Sequence, residues 1–265
     1  MSKRTMWEGA EIGIELATFE PGAHHPNHAD RHSRITLVLK GQFREYANAG
    51  HASISAGDIL FKSRTVRHEN HFGNEGVSLL SVVFRNDDKC VLEQSGLQRL
   101  WSVQRGSHFL RSGIVLLEAL RANDSSTILT SIADLLAAEA GWEPAGGRAP
   151  SWLNQLKRDL EGVSLSEVDV AQRALAAGVH PAHASRLFRR LYSTTITEHA
   201  MYHCVRRAME MLADQGQTLS DVAVAAGFYD QSHMSRAFSR LTGKTPGRYR
   251  MLMGHFITRC ENMAG

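Results

Sequence analysis

The feature that most constrains this chain is a repeat inside its C-terminal third. Ala174-Leu175-Ala176-Ala177-Gly178 returns 49 residues later as Ala223-Val224-Ala225-Ala226-Gly227. Ser185-Arg186-Leu187-Phe188-Arg189-Arg190-Leu191 returns 50 residues later as Ser235-Arg236-Ala237-Phe238-Ser239-Arg240-Leu241, so the second copy has one extra residue in its turn. A repeat of this period marks a duplicated supersecondary unit. Each copy has the form of a short helix closed by glycine, a turn and an amphipathic helix. The alanines let two steeply crossing helices approach, and the glycine supplies the positive φ that ends the first of them.

The second helix of each copy is sided. Ala184, Leu187, Phe188 and Leu191 share one face of the first, leaving Ala182, His183, Ser185, Arg186 and Arg189 on the other. In the second copy Met234, Ala237, Phe238 and Leu241 share the inner face, and Gln231, Ser232, His233, Ser235, Arg236, Ser239 and Arg240 remain outside it. A small, polar, arginine-bearing face suits a major groove, where arginine pairs in bidentate fashion with guanine and small residues permit close approach. Between the copies, Ile196, Ala200, Cys204, Ala208 and Leu212 recur every four residues, which describes one continuous helix. About 17 residues at 1.5 Å each give roughly 25 Å, so the rod can hold two reading helices near one duplex turn, about 34 Å, apart. Charge agrees: from His180 to Arg250 ten lysines and arginines face five carboxylates, whereas the whole chain has a formal charge of only +3.

These residues resemble a known family. GVHPAHASRLFRRLYSTTITEH, VRRAMEML and LSDVAVAAGFYDQSHMSRAFSRLTGKTPGRYR together resemble the DNA-binding domain of the AraC/XylS family of bacterial regulators over about 100 residues. The resemblance implies transcription regulation, more often activation with RNA polymerase as a partner, and a companion domain that senses a signal or dimerises. One residue departs from the symmetry of the repeat. Arg173 stands where the second copy has the core residue Val222, and it must either reach out along its aliphatic stem or pack differently.

The first 85 residues are patterned differently. The short runs ELATF, ITLVL, FREY, SISAGDILF and VSLLSVVF are punctuated about every ten residues by turn signals such as Pro21-Gly22, Lys40-Gly41 and Ala56-Gly57-Asp58, as in a β-sandwich or small barrel. From about Val91 the period becomes helical, through Leu97, Leu100 and Trp101, then Ile114 and Leu117, then Ile128, Ile132 and Leu135. Such stripes suit packing on the barrel, pairing of two subunits in a homodimer, or both. Gly141 to Pro150 reads as a linker. The expected architecture is therefore α+β with two domains. A cupin-like β-barrel spans 1–90, a helical segment 91–140, a linker 141–150, an all-α domain with two helix-turn-helix units joined by a long helix 151–251, and a tail 252–265.

PGAHHPNHADRHSRITLVLKG and AGDILFKSRTVRHENHFG resemble the two motifs of a cupin barrel. The resemblance places His28, Asp30 and Arg34 at the three first-motif ligand positions and His68 at the second-motif position. Two readings stay open. His28, Asp30 and His68 form a two-His-one-carboxylate set of the kind that holds a divalent metal. Alternatively, Arg34 with His28, Asp30, His32 and His68 suits a small anionic effector, since a cation beside a dication is repulsive. His24 and His25, beside Pro21 and Pro26, are expected on a loop.

The longest apolar run, Val77 to Phe84, is too short to cross a bilayer, and the N-terminus lacks a secretory pattern, so no membrane partner is expected. Cys90, Cys204 and Cys260 lie far apart without metal or redox spacing and read as reduced thiols. A bacterial cytoplasmic, nucleoid-associated setting follows. No catalytic motif is found, so the chain reads as a regulator bound to double-stranded DNA, without catalytic residues or a cofactor. A metal-dependent cupin enzyme with a DNA-binding appendage is the competing reading.

Overall fold

The computed structural model describes residues 1–48, 50–85, 101–140, 149–214 and 216–264. Contacts divide the chain into two units, Met1–Gly141 with Ala213–Gln215 and Arg248–Gly265, and Trp142–Leu212 with Gly216–Gly247. The expected linker lies mostly outside the described residues, as do Cys90, Leu97 and Leu100.

Among the described residues of the first unit ten strands form two antiparallel sheets: β1 (Ser2–Glu8), β2 (Ile12–Phe19), β3 (His24–Ala29), β4 (Arg34–Lys40), β5 (Gln42–Ala47), β6 (Gly50–Ser55), β7 (Ile59–Lys62), β8 (Arg67–Phe72), β9 (Val77–Phe84) and β10 (Trp101–Gln104). One sheet runs β1-β2-β9-β4-β7-β10 and the other β3-β8-β5-β6. Strand β9 lies between β2 and β4, and all eight of its residues are buried, which explains why it is apolar apart from Ser78 and Ser81 and does not alternate. The turn from β4 to β5 needs glycine: Gly41 has φ +80°, and a Cβ there would lie 2.1 Å from the carbonyl oxygen of Gly76.

Helices α1 (Ser107–Ala122) and α2 (Ser125–Ala140) follow the strands. Helix α1 approaches β4 and β7 closely at Gly113, where a Cβ would sit 3.1 Å from Leu37, and Phe109 meets Phe61 edge to face.

The second unit contains α3 (Ser151–Asp159), a 3-10 turn (Leu165–Glu167), α4 (Val170–Ala176), α5 (Pro181–Tyr192), α6 (Ile196–Ala213), α7 (Leu219–Ala225) and α8 (Gln231–Thr242). The short helices start where capping chemistry dictates. Asp169 accepts from the amide of Gln172, Thr218 from Asp221 and Asp230 from His233, while Pro181 opens α5.

Four expectations need correction. Residues 24 and 25 lie on strand β3 and not on a loop, and β1 is also a strand: both are too polar for alternation to reveal them, and pairing with β8 and β2 defines them. SISAGDILF is two strands, β6 and β7, separated at the turn Ala56-Gly57-Asp58. Trp101 is not helical but begins β10, which pairs antiparallel with β7 at the sheet edge. Residues 252–264 are not a loose tail. Helix α9 (Pro246–Ala264) continues through them and buries Leu252, Met253, Phe256, Ile257 and Cys260 at helical spacing. Among the described residues no helix is long and apolar enough to cross a membrane.

Candidate functional site

Two regions bring the sequence-derived residues together. The first is the pair of second helices in the repeat. In α5, Ala184, Leu187 and Phe188 are buried while Ala182, His183, Ser185, Arg186 and Arg189 are exposed. In α8, Met234, Ala237 and Phe238 are buried, Gln231, Ser232, Arg236 and Arg240 are exposed, and His233 and Ser235 are half-buried. Leu191 and Leu241 are only partly covered. Each apolar stripe anchors its helix and leaves the polar, arginine-bearing face outward.

The two copies are built alike but supported differently. Gly178 and Gly227 both close their first helices at positive φ, +72° and +93°. A Cβ on Gly178 would meet nothing within 4 Å, whereas one on Gly227 would lie 2.9 Å from the Cα of Ser164. Val222 is fully buried, while Arg173 stays partly exposed and extends an NH2 group towards the carbonyl of Glu167 at 3.4 Å. The outward-reaching alternative for Arg173 is therefore the one adopted, although its Nε is buried without a hydrogen-bond partner.

Arg207 of α6 is a residue the repeat did not single out. It donates to the carbonyls of Glu161 (2.7 Å), Val163 (2.8 Å) and Ala226 (2.9 and 3.2 Å). One guanidinium thus ties the long helix both to the segment after α3 and to the end of α7, which supports α8.

The second region is a cavity of about 310 Å³ in the first unit, lined among others by Phe19, Phe43, Phe72 and Leu79 and by His25, His28, Asp30, Arg34 and His68. His28 and His68 are opposed across β3 and β8, with ring centroids 4.3 Å apart. Four of the five expected effector residues meet here; His32 is not among the lining residues.

The expected metal set, His28, Asp30 and His68, has its ligand atoms within 4.8 Å of one another. Lys62 already occupies two of these donors, Asp30 and His68. Its ammonium, on a side chain 4% exposed, donates to Glu45 at 2.8 Å and to His68 Nε2 at 2.7 Å, and lies 3.3 Å from Asp30. Arg34 adds a second cation, 3.0 Å from the other Asp30 oxygen. Burial opposes ionisation of Asp30, but Lys62 and Arg34 outweigh it and hold its carboxyl below the usual carboxylate range. Burial, then the charge of Lys62, pushes His68 down. His68 Nδ1 faces the Val66 carbonyl at 3.2 Å, leaving Nε2 to accept from Lys62. With a fixed cation already satisfying these donors, the set does not fit a dication as it stands.

Sequence reasoning missed Lys62 and Glu45. Lys62 ends the apolar run ILFK, where a charge needs a buried partner. Glu45 lies on a different strand, and only the sheet pairing brings the two together.

The family described as "Helix-turn-helix domain" matches residues 173–251. The HTH-type transcriptional regulator GlxA of Rhizobium meliloti (strain 1021) is 32% identical over 112 residues, covering 42% of this chain and 34% of that protein. The C-terminal unit carries an AraC-type helix-turn-helix domain. The Msm operon regulatory protein of Streptococcus mutans serotype c (strain ATCC 700610 / UA159) is 21% identical over 108 residues, 41% of this chain and 39% of that one. The aligned AraC-type segment thus spans between a third and two fifths of these curated relatives. A crystal structure of ToxT from Vibrio cholerae strain SCE256 with bound unsaturated fatty acid overlaps 93% of this chain and 97% of its own, at 10% identity and a TM-score of 0.35. That likeness is too loose to carry weight.

Proposed function

We propose that the protein is a sequence-specific DNA-binding transcription regulator that acts as an activator and reads two successive major-groove segments with α5 and α8. The observation that carries this reading is the duplication itself, with equivalent faces of both helices exposed and equivalent apolar stripes buried. Arg186, Arg189, Arg236 and Arg240 supply the base and phosphate contacts, with Ala182, His183, Ser185, Gln231, Ser232, His233 and Ser235 around them. The test is footprinting on DNA flanking the coding region. Two protected segments one helical turn apart support the reading, and protection of one segment only removes one copy from it.

The barrel cavity holds the effector. It offers an aromatic wall, a buried donor without a partner at Arg34 Nε and a buried acceptor without one at Asn70 Oδ1, which suits a small acid with an apolar body. An incoming carboxylate competes with Asp30 for Arg34. Binding of candidate small acids, read by calorimetry on the native chain and on Arg34→Met, tests this: equal affinity for both excludes Arg34 as the anchor. Exposed Val115 on α1 and Leu129 on α2 are the surface for a homodimer, checked by sedimentation. RNA polymerase is the partner if the regulator activates, and the setting is the bacterial cytoplasm and nucleoid. Lys62 weighs against the metal-dependent enzyme reading, because two of the three donors that such chemistry needs, Asp30 and His68, already lie against its ammonium.

A further inference from the structure

Helix α6 carries His199 and His203 four residues apart, which places both imidazoles on one face, one turn from each other. Their ring centroids are 4.6 Å apart at 68°. Glu161, in the connection after α3, reaches the same place, so that one ligand atom from each of the three residues lies within 4.8 Å of the others.

The state of His199 gives this cluster its meaning. One ring nitrogen bonds to the backbone carbonyl of Lys157, and Nε2 is buried with no hydrogen-bond partner. The bonded nitrogen is therefore Nδ1, which carries the proton, and the Nε2 lone pair is left unused inside the protein. A buried acceptor in that condition is unfavourable unless something comes to satisfy it. An imidazole whose far nitrogen is held by a carbonyl is also how metal ligands are oriented and made more basic. Lys157 stacks its ammonium over the Tyr192 ring, 4.7 Å from the centroid.

Two other triads on the same chain lack this feature. In His24, Glu69 and His71, which lie at the surface, one carboxylate oxygen is already bonded to both imidazoles, at 2.9 and 2.6 Å. In His28, Asp30 and His68 the ammonium of Lys62 lies among the donors.

We propose that Glu161, His199 and His203 bind a zinc-class divalent cation, with water completing a four- or five-coordinate sphere. Two imidazoles and a carboxylate are a donor set suited to Zn²⁺. The ion would join the connection after α3 to the long helix, directly beneath the first reading helix, whose Phe188 meets the His199 ring edge to face at 5.5 Å. Binding would stiffen the half of the DNA-binding unit in which Arg173 is the less regular support.

The test uses the full chain, treated with chelator and dialysed, and titrated first with Co²⁺ and then with Zn²⁺. One equivalent of Co²⁺ is expected to give visible ligand-field bands of a low-coordinate site, which Zn²⁺ displaces. Zn²⁺ is also expected to raise the thermal midpoint. His203→Gln and Glu161→Gln should each weaken that equivalent at least tenfold, while His71→Gln leaves it unchanged. Should His203→Gln fail to fold, the exposed Glu161→Gln alone decides. Absence of the bands from the native protein overturns the proposal, as does their survival in Glu161→Gln or their loss in His71→Gln. None of these readouts depends on DNA.

Discussion

Replacing Lys62 by Met keeps the aliphatic stem and removes the charge at the centre of the barrel cavity. Glu45, 1% exposed, then loses the ammonium 2.8 Å away and keeps the indole N–H of Trp101, while Asp30 keeps Arg34. Leaving one buried partner of an ion pair uncompensated costs roughly 3–5 kcal/mol. A second limit comes from protonation. Giving a proton to an ordinary carboxylate of pKa about 4.3 at pH 7 costs about 3.7 kcal/mol, and the variant can take that route if leaving the charge buried costs more. The loss should therefore be about 3–4 kcal/mol at pH 7, on the order of 10 °C in the midpoint of the first unit. At pH 5 the protonation route costs only about 1 kcal/mol, so the gap between variant and native should shrink to a few degrees. Scanning calorimetry of both proteins at the two pH values measures this. A midpoint within about 2 °C of native at pH 7, or a loss as large at pH 5 as at pH 7, would show that Lys62 does not hold the cavity in the way its geometry indicates.

Arg236→Ala should weaken binding to a footprinted site by about 1–3 kcal/mol, or roughly 5- to 150-fold, and relax sequence preference at one position; unchanged affinity removes Arg236 from the interface. Gly227→Ala should destabilise the second unit by several times as much as Gly178→Ala, because both glycines have positive φ but only Gly227 has backbone 2.9 Å from the added Cβ; equal midpoints in denaturant would contradict this. The depressed His68 pKa sets a pH dependence. Below the ordinary value of 6.5 the unfolded chain binds the proton first, so stability is full above that pH and falls as the solution is acidified towards the lower folded value. His68→Gln should flatten that slope between pH 6.5 and 5, and an unchanged slope assigns it elsewhere.

Where the sequence was legible, a residue's neighbours along the chain determined its role. Alanine before glycine, a cap residue and a sided helix are local features, so both copies of the repeat, down to the outward faces of Arg186 and Arg236, could be read before the fold was seen. The apolar strands β2, β4, β5 and β9 show the same legibility. The failures arose where pairing across the sheet decides the outcome. The polar stretches that form β1 and β3 have no apolar alternation to reveal them, and β10 is only four residues long. The site shows the same division. His28, Asp30, Arg34 and His68 are picked out by the resemblance to the cupin motifs, whereas Lys62 and Glu45 are 17 residues apart and meaningful only as a pair. In α9 the signal is present in the sequence: Leu252, Met253, Phe256, Ile257 and Cys260 follow a helical period, and all five are buried.

Arg207 gives the reading half of this molecule something like a carpenter's fixed gauge. Because a single planar cation holds the long helix, the segment after α3 and the end of α7 together, side-chain changes on the outer face of α8 leave the seat of that helix on α6 where it was. If both helices read DNA as proposed, such a protein would adapt to a new target by swapping letters within each bound word, and would lose a target whose words are pushed apart by inserted bases.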